Sequence, residues 1–257
     1  MQKLQINNRK GQIIVVVVEE PKEEPKGLVF VLHGLSGNKE EPHIVEFAKA
    51  FHDKNYTVVK FDTTNTFGES AGKYEDATVT TYYDDLADVI NWAKTQPWYQ
   101  EPFCLVGHSL GGIAVILYGQ KHPQGIKGLA PISSVVSGKL SGETWKYRER
   151  LDEWQQTGWL VEKSTTNPGR VKRLPWSHMV DRLSYNVLPD AKLLTMPVLM
   201  IVGDKDDSTP PEHQQLLYEK LPGKKEIHII KGAPHSFVDP EHLAQIRKIF
   251  LNWIDEL

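Results

Sequence analysis

The strongest restriction on the fold is a rhythm: short β-rich runs alternate with amphipathic segments of helix length along most of the chain. Residues 13–18 and 28–32 read as strands, the second almost wholly apolar, as expected for a strand covered on both faces. Between them and the next apolar run, residues 40–53 place Ile44, Phe47, Ala48 and Phe51 at helical spacing. A strand at 56–61, a helix at 80–95, a strand at 103–106, a helix at 111–121 and a strand at 126–132 continue the pattern. It resumes late in the chain as strand 197–202, helix 211–220, strand 226–230 and helix 240–257. Strands alternating with helices imply right-handed βαβ units and a mainly parallel sheet, hence an α/β fold.

Residues 137–189 break the rhythm. They hold four of the seven tryptophans, and residues 139–182 carry nine Lys/Arg against six Asp/Glu, a local charge of +3. A stretch this long inside a compact domain is usually a functional lid or an inserted subdomain. The expected organisation is a core formed by residues 1–136 and 190–257, with 137–189 as a cap over the sheet's C-terminal edge. The alternative is a surface excursion that only covers the core.

Composition excludes several function classes. The 257 residues carry a formal charge of −3, which offers no electrostatic footprint for nucleic acid or an anionic membrane. A single cysteine, Cys104, excludes an internal disulfide framework and a cysteine-based zinc cage. The apolar run at 13–18 is too short to span a bilayer, and no leader pattern is visible, so a cytoplasmic protein is expected.

The sharpest chemical signal is Gly107-His108-Ser109-Leu110-Gly111, between an apolar strand and a helical run. That context is the one a nucleophile elbow requires. A serine on so sharp a turn takes strained backbone angles, flanking glycines prevent clashes, and the helix N-terminus aims free N–H groups at any oxyanion formed there. Serine is a weak nucleophile and needs a base, itself oriented by an acid; in this architecture the order is Ser, Asp/Glu, His. Gly203-Asp204-Lys205-Asp206-Asp207 follows the strand at 197–202. Asp206, midway along that loop, is the expected acid; Asp207 is its nearest rival, and Asp204 suits organising the turn. His235 is the one later histidine on a loop after a strand and is the expected base, while His33 and His108 come too early in the chain. The expected oxyanion donors are the backbone N–H groups of Leu110 and of Leu35, in the loop after the strand at 28–32.

Together the segments His33-Gly34, Gly68 through Lys73, Gly107 through Gly111, Gly203 through Pro210 and Gly232 through Phe237 resemble the α/β-hydrolase superfamily. The runs Gly34 through Glu41 and Gly68 through Lys73 are similar to those of bacterial carboxylesterases of the cinnamoyl and feruloyl esterase type. Ala71 departs from that type, many of whose members carry an acidic residue there. The resemblance implies the fold, a Ser109–His235–Asp206 triad and ester hydrolysis with no metal or cofactor. It leaves the acyl group open. Thioester, monoacyl-lipid or small-peptide amide hydrolysis would use the same machinery, and a hydrolase-fold binding protein with little turnover is the rival from another class.

Trp145, Trp154 and Trp159 are expected to form an apolar wall for the substrate. The basic cluster Arg170, Lys172 and Arg173 reads as solvated cap surface rather than as an anion site. Cys104, within a strand, reads as a buried inert thiol. The partner implied is a small-molecule ester, with no nucleic acid and no membrane span. Nothing in the sequence specifies an oligomeric state.

Overall fold

In the computed structural model, which describes residues 1–163 and 169–257, the apolar runs pair into one eight-stranded sheet. Its strands are β1 (Gln2–Asn7), β2 (Ile13–Glu19), β3 (Gly27–Leu32), β4 (Tyr56–Phe61), β5 (Phe103–His108), β6 (Ile126–Ile132), and, after an insertion, β9 (Val198–Gly203) and β10 (Lys225–Ile230). The order is β1-β2-β4-β3-β5-β6-β9-β10. β2 pairs antiparallel with both β1 and β4, and every other pairing is parallel, as the strand–helix alternation requires.

Helices cover both faces. Because successive strand side chains point to opposite sides, Leu28, Phe30 and Leu32 of β3 enter one core with α2 (Val79–Ala93) and α3 (Leu110–Lys121). Val29 and Val31 enter the other, with α1 (Pro42–His52) and α8 (Pro240–Asp255). The sequence sets the ends of these helices. Thr78 and Thr81 form a reciprocal capping box at the start of α2, and proline opens α1, α8 and α7 (Pro211–Lys220). α3 is apolar on nearly all sides because it packs against β5, β6 and β3 of the sheet and against α2 beside it.

Between β6 and β9 the chain leaves the sheet. It forms α4 (Gly138–Gly142), α5 (Leu151–Thr157), an antiparallel pair β7 (Trp159–Lys163) and β8 (Val171–Pro175), and α6 (Trp176–Leu183). Outgoing and returning strands meet at a neck, where Ser137 bridges Asn186 and the Val187 amide donates to Val136 O at 3.0 Å. The insertion has an apolar cluster of its own, Tyr147, Trp154, Leu160, Leu174 and Met179, seated on Tyr74 from the loop after β4.

Candidate active site

The turn between β5 and α3 consists of one residue. Ser109 caps α3 with φ 55° and ψ −112°, a left-handed backbone that non-glycine residues rarely adopt. Its neighbours leave no room for side chains. A Cβ on Gly107 would lie 2.3 Å from Gly111 O, and one on Gly111 would lie 2.4 Å from His33 O. The Ser109 amide donates to Ile132 O at 3.0 Å, which ties the elbow to β6. The strain is thus held by close packing of main chain, and it presents the Ser109 hydroxyl above the sheet's C-terminal edge.

Two loops from the far half of the chain converge on it. His235, after β10, places Nε2 2.9 Å from Ser109 Oγ, and its Nδ1 lies 2.8 Å from Asp206 Oδ2. Asp206, after β9, is 4 % exposed. Its Oδ1 accepts from the Ser208 and Thr209 amides at 2.9 and 2.8 Å, and the Thr209 hydroxyl lies 2.8 Å from Oδ2. Burial alone would raise the Asp206 pKa, but His235 and the Thr209 donors outweigh it and hold the carboxyl well below the usual range. A fixed carboxylate on Nδ1–H leaves the Nε2 lone pair facing the serine hydroxyl. Such a relay can remove the hydroxyl proton as oxygen attacks a carbonyl carbon.

Of the three aspartates in that loop, only Asp206 meets the imidazole. Asp204 Oδ1 accepts from the Gly232 amide at 2.6 Å and joins the two loops, while Asp207 is exposed and accepts from the Ser208 hydroxyl at 3.1 Å. His108 and His33 serve the scaffold. His108 Nε2 donates to the His235 carbonyl at 2.9 Å. His33 Nδ1 donates to Gly34 O at 2.8 Å while its Nε2 accepts from the Thr63 amide, and burial lowers its pKa, favouring this neutral form. The Tyr82 hydroxyl also donates to Gly34 O, at 2.9 Å. With the Gly37 amide at 3.0 Å, three donors on one carbonyl fix the peptide that carries the Leu35 N–H. The Leu110 N–H, in the first turn of α3, has no carbonyl four residues earlier within its helix. Thr209 and Tyr82 were missed by the sequence reasoning, since a hydroxyl that acts through a loop leaves no motif, whereas His33 and His108 hold the scaffold places their early position in the chain suggested.

Above the serine lies a cavity of about 820 Å³, bordered by Leu35, Ser109 and His235 below and by the insertion above. The three tryptophans expected in its wall lie elsewhere. Trp154 is 1 % exposed inside the insertion's own cluster, where its Nε1 donates to Leu174 O at 3.0 Å. Trp145 is 71 % exposed beneath the Arg148 guanidinium, and Trp159 faces a separate surface cleft under Arg173. Large amphipathic rings in so small a subdomain are taken up by its core and its surface cations. The wall is instead charged, with Lys146, Lys172 and Arg182 prominent. The basic cluster expected on the surface divides accordingly. Lys172 lines the cavity, whereas Arg170 stacks on Phe67 and Arg173 on Trp159. Cys104 is buried in β5 with its thiol pushed up by burial to about 12. Among the described residues no helix is long and apolar enough to cross a membrane, and no group of three His, Cys, Asp or Glu is placed to hold a metal.

Comparison with known proteins follows the same lines. The family described as "Serine aminopeptidase, S33" matches residues 23–241. The human protein ABHD12B is 25 % identical over 193 residues, 75 % of this chain, which spans about half of that protein's length (49 %). A thermostable monoacylglycerol lipase of Bacillus sp. (strain H-257) is 24 % identical over 225 residues, covering 80 % of this chain and 82 % of that one. Among solved structures, Est1E from Butyrivibrio proteoclasticus with bound ferulic acid superposes over 98 % of each chain, with a TM-score of 0.79 and 22 % identity.

Proposed function

Since this chain belongs to the serine hydrolase family described as "Serine aminopeptidase, S33" and has the α/β-hydrolase fold, we propose that it hydrolyses carboxylic esters through an acyl-enzyme on Ser109. The observation that carries this reading is the continuous chain Ser109 Oγ–His235 Nε2 and His235 Nδ1–Asp206 Oδ2, at 2.9 and 2.8 Å, on a left-handed elbow. In the proposed reaction Ser109 Oγ bonds to the acyl carbon as its proton passes to His235 Nε2. Asp206 holds the reactive tautomer and stabilises the imidazolium that results. The Leu35 and Leu110 N–H groups bind the oxyanion; losing one such donor typically costs on the order of 100-fold in turnover. His235 then returns the proton to the departing alcohol. Water, deprotonated by the same nitrogen, opens the acyl-enzyme and regenerates the serine.

Residues 137–189 act in this proposal as a cap that closes the cavity over the core of 1–136 and 190–257. Ester rather than amide chemistry draws support from the two relatives whose printed names concern a lipase and bound ferulic acid. The test is parallel turnover of 4-nitrophenyl esters, an acyl thioester and aminoacyl anilides. The proposal expects ester turnover to dominate and to disappear in Ser109→Ala. Faster cleavage of thioester or anilide would reassign the substrate class while keeping the machinery.

A further inference from the structure

The cavity over Ser109 carries more positive charge than binding a neutral ester calls for. Six Lys or Arg side chains line it against three carboxylates. One of those carboxylates, Glu162, is already engaged by Arg150 at 2.7 Å. A second, Glu41, has its carboxyl pushed up by burial to about 7, so near neutral pH it supplies only part of a charge. The excess gathers on the wall built by the insertion, where Lys146 and Lys172 are partly buried. Burial and the nearby Lys146 both pull the Lys172 ammonium below its ordinary pKa, a sign of crowded cations.

Arg182 is the sharpest part of this wall. It is 3 % exposed, and among the described residues no ion pair joins it to an aspartate or glutamate. Its two terminal nitrogens bond neutral acceptors: Ser141 Oγ at 2.9 Å and His178 Nε2 at 2.9 Å. His178 donates Nδ1–H to Ala77 O at 2.6 Å and is held neutral by burial, its pKa pushed down to about 3. Arg182 Nε is buried with no partner. The adjacent Tyr147 reports the same field. Burial would raise its phenol, yet Lys146 and Arg182 together bring it below its usual value. A buried guanidinium without a carboxylate is costly, and an anion arriving beside it recovers much of that cost.

We propose that this wall is an anion subsite: the ester opened by Ser109 carries, away from its scissile bond, a carboxylate or phosphate group received by Arg182, Lys146 and Lys172. This rests on the ester-hydrolase reading for its substrate but not for its binding. The same geometry favours a group on the side of the substrate that faces the insertion. Arg forks suit the planar or tetrahedral oxygens of such groups, and the two lysines add charge without fixing orientation.

The experiment compares matched esters. Mono-4-nitrophenyl glutarate is set against 4-nitrophenyl pentanoate for an acyl-side carboxylate. 4-(Butyryloxy)benzoate and 4-(butyryloxy)phenyl phosphate are set against phenyl butyrate for the alcohol side. At least one anionic ester is expected to exceed its neutral partner by about tenfold or more in kcat/KM at low salt. Within each variant the anionic-to-neutral ratio is then measured; it falls about tenfold in Lys172→Glu, and also in Lys146→Gln, should Arg182→Gln fail to fold. Binding to Ser109→Ala reads the acyl-side arm without turnover: where the glutarate ester is the preferred one, glutaric monoanilide should bind about tenfold tighter than pentananilide by calorimetry, an advantage lost when Lys172→Glu is added. Anionic-to-neutral ratios near one for all three anionic esters, or a preference untouched by these substitutions, overturn the subsite and leave ester hydrolysis standing. Tighter anion binding without any ester turnover by the wild type keeps the subsite and removes the esterase reading.

Discussion

The elbow beneath Ser109 and the insertion above it are held in different ways, and their glycines register the difference. At Gly107, Gly111 and Gly203 an added Cβ would meet backbone atoms at 2.3, 2.4 and 2.0 Å. At Gly158, between α5 and β7, it would meet nothing within 4 Å. The geometry around Ser109 is therefore set by main chain pressed against main chain, with short polar bonds on top. The insertion, away from its neck, is set by side chains gathered around Trp154. Backbone-built geometry demands particular residue types at particular positions, whereas a side-chain cluster can be composed in many ways.

The contrast has four measurable consequences. The largest concerns the relay: Asp206→Asn and His235→Ala should each lower kcat by roughly 10⁴-fold, and Asp206→Asn should also lower Tm, because its buried carboxylate is held ionised by His235 and the Ser208 and Thr209 amides. A loss below tenfold in ester turnover would mean that another base serves Ser109. Next, Trp154→Ala should cost about 3–5 kcal/mol within the insertion, through lost burial and the cavity left behind. Hydrogen exchange should then quicken in α5, β7 and α6 but not in β5 or β6. Equal acceleration in both would show that the two regions fold as one.

Smaller effects come from backbone and charge. Gly107→Ala is expected to destabilise by about 3 kcal/mol through its clash with Gly111, while Gly158→Ala, strained only by φ 77°, should cost about 1 kcal/mol. Urea titration of both variants decides the order, and a reversal would undo the contrast drawn above. The slightest effect lies at the seam between the regions. Glu41 has a folded pKa of about 7 against an ordinary 4.5, so its neutral form is the one the folded state favours. Its contribution to stability is complete below about pH 4.5 and is lost as pH rises through 7. Glu41→Gln should accordingly flatten the fall in Tm between pH 5 and 8, and an unchanged slope would assign that fall to other groups.

These differences also explain what could be read from sequence. The parallel sheet was legible because β3, β5 and β9 are buried along their whole length and their helices repeat apolar residues at helical spacing. The convergence of Ser109, Asp206 and His235 was legible because each lies just beyond a strand end, where glycine, proline and chain order restrict the choice. β1 was missed: it is an edge strand with only Ile6 buried, and its polar residues hide the alternation. β7 and β8 escaped for a related reason, since each buries one side chain, Leu160 and Leu174, and offers no apolar run. The tryptophans misled because their clustering indicates a packed subdomain without indicating which way its rings face. The charged wall was visible only as a local excess of Lys and Arg. Which of those side chains turn inward depends on the pairing of β7 with β8 and on the tilt of α6, and that is long-range information.

Whether Ser109 is an activated nucleophile is decided by intact-mass analysis after exposure to a fluorophosphonate. An activated Ser109 takes one covalent adduct on the folded wild type, and Ser109→Ala treated in parallel takes none. A folded wild type that takes up no label, or a Ser109→Ala protein labelled as readily as the wild type, would contradict it.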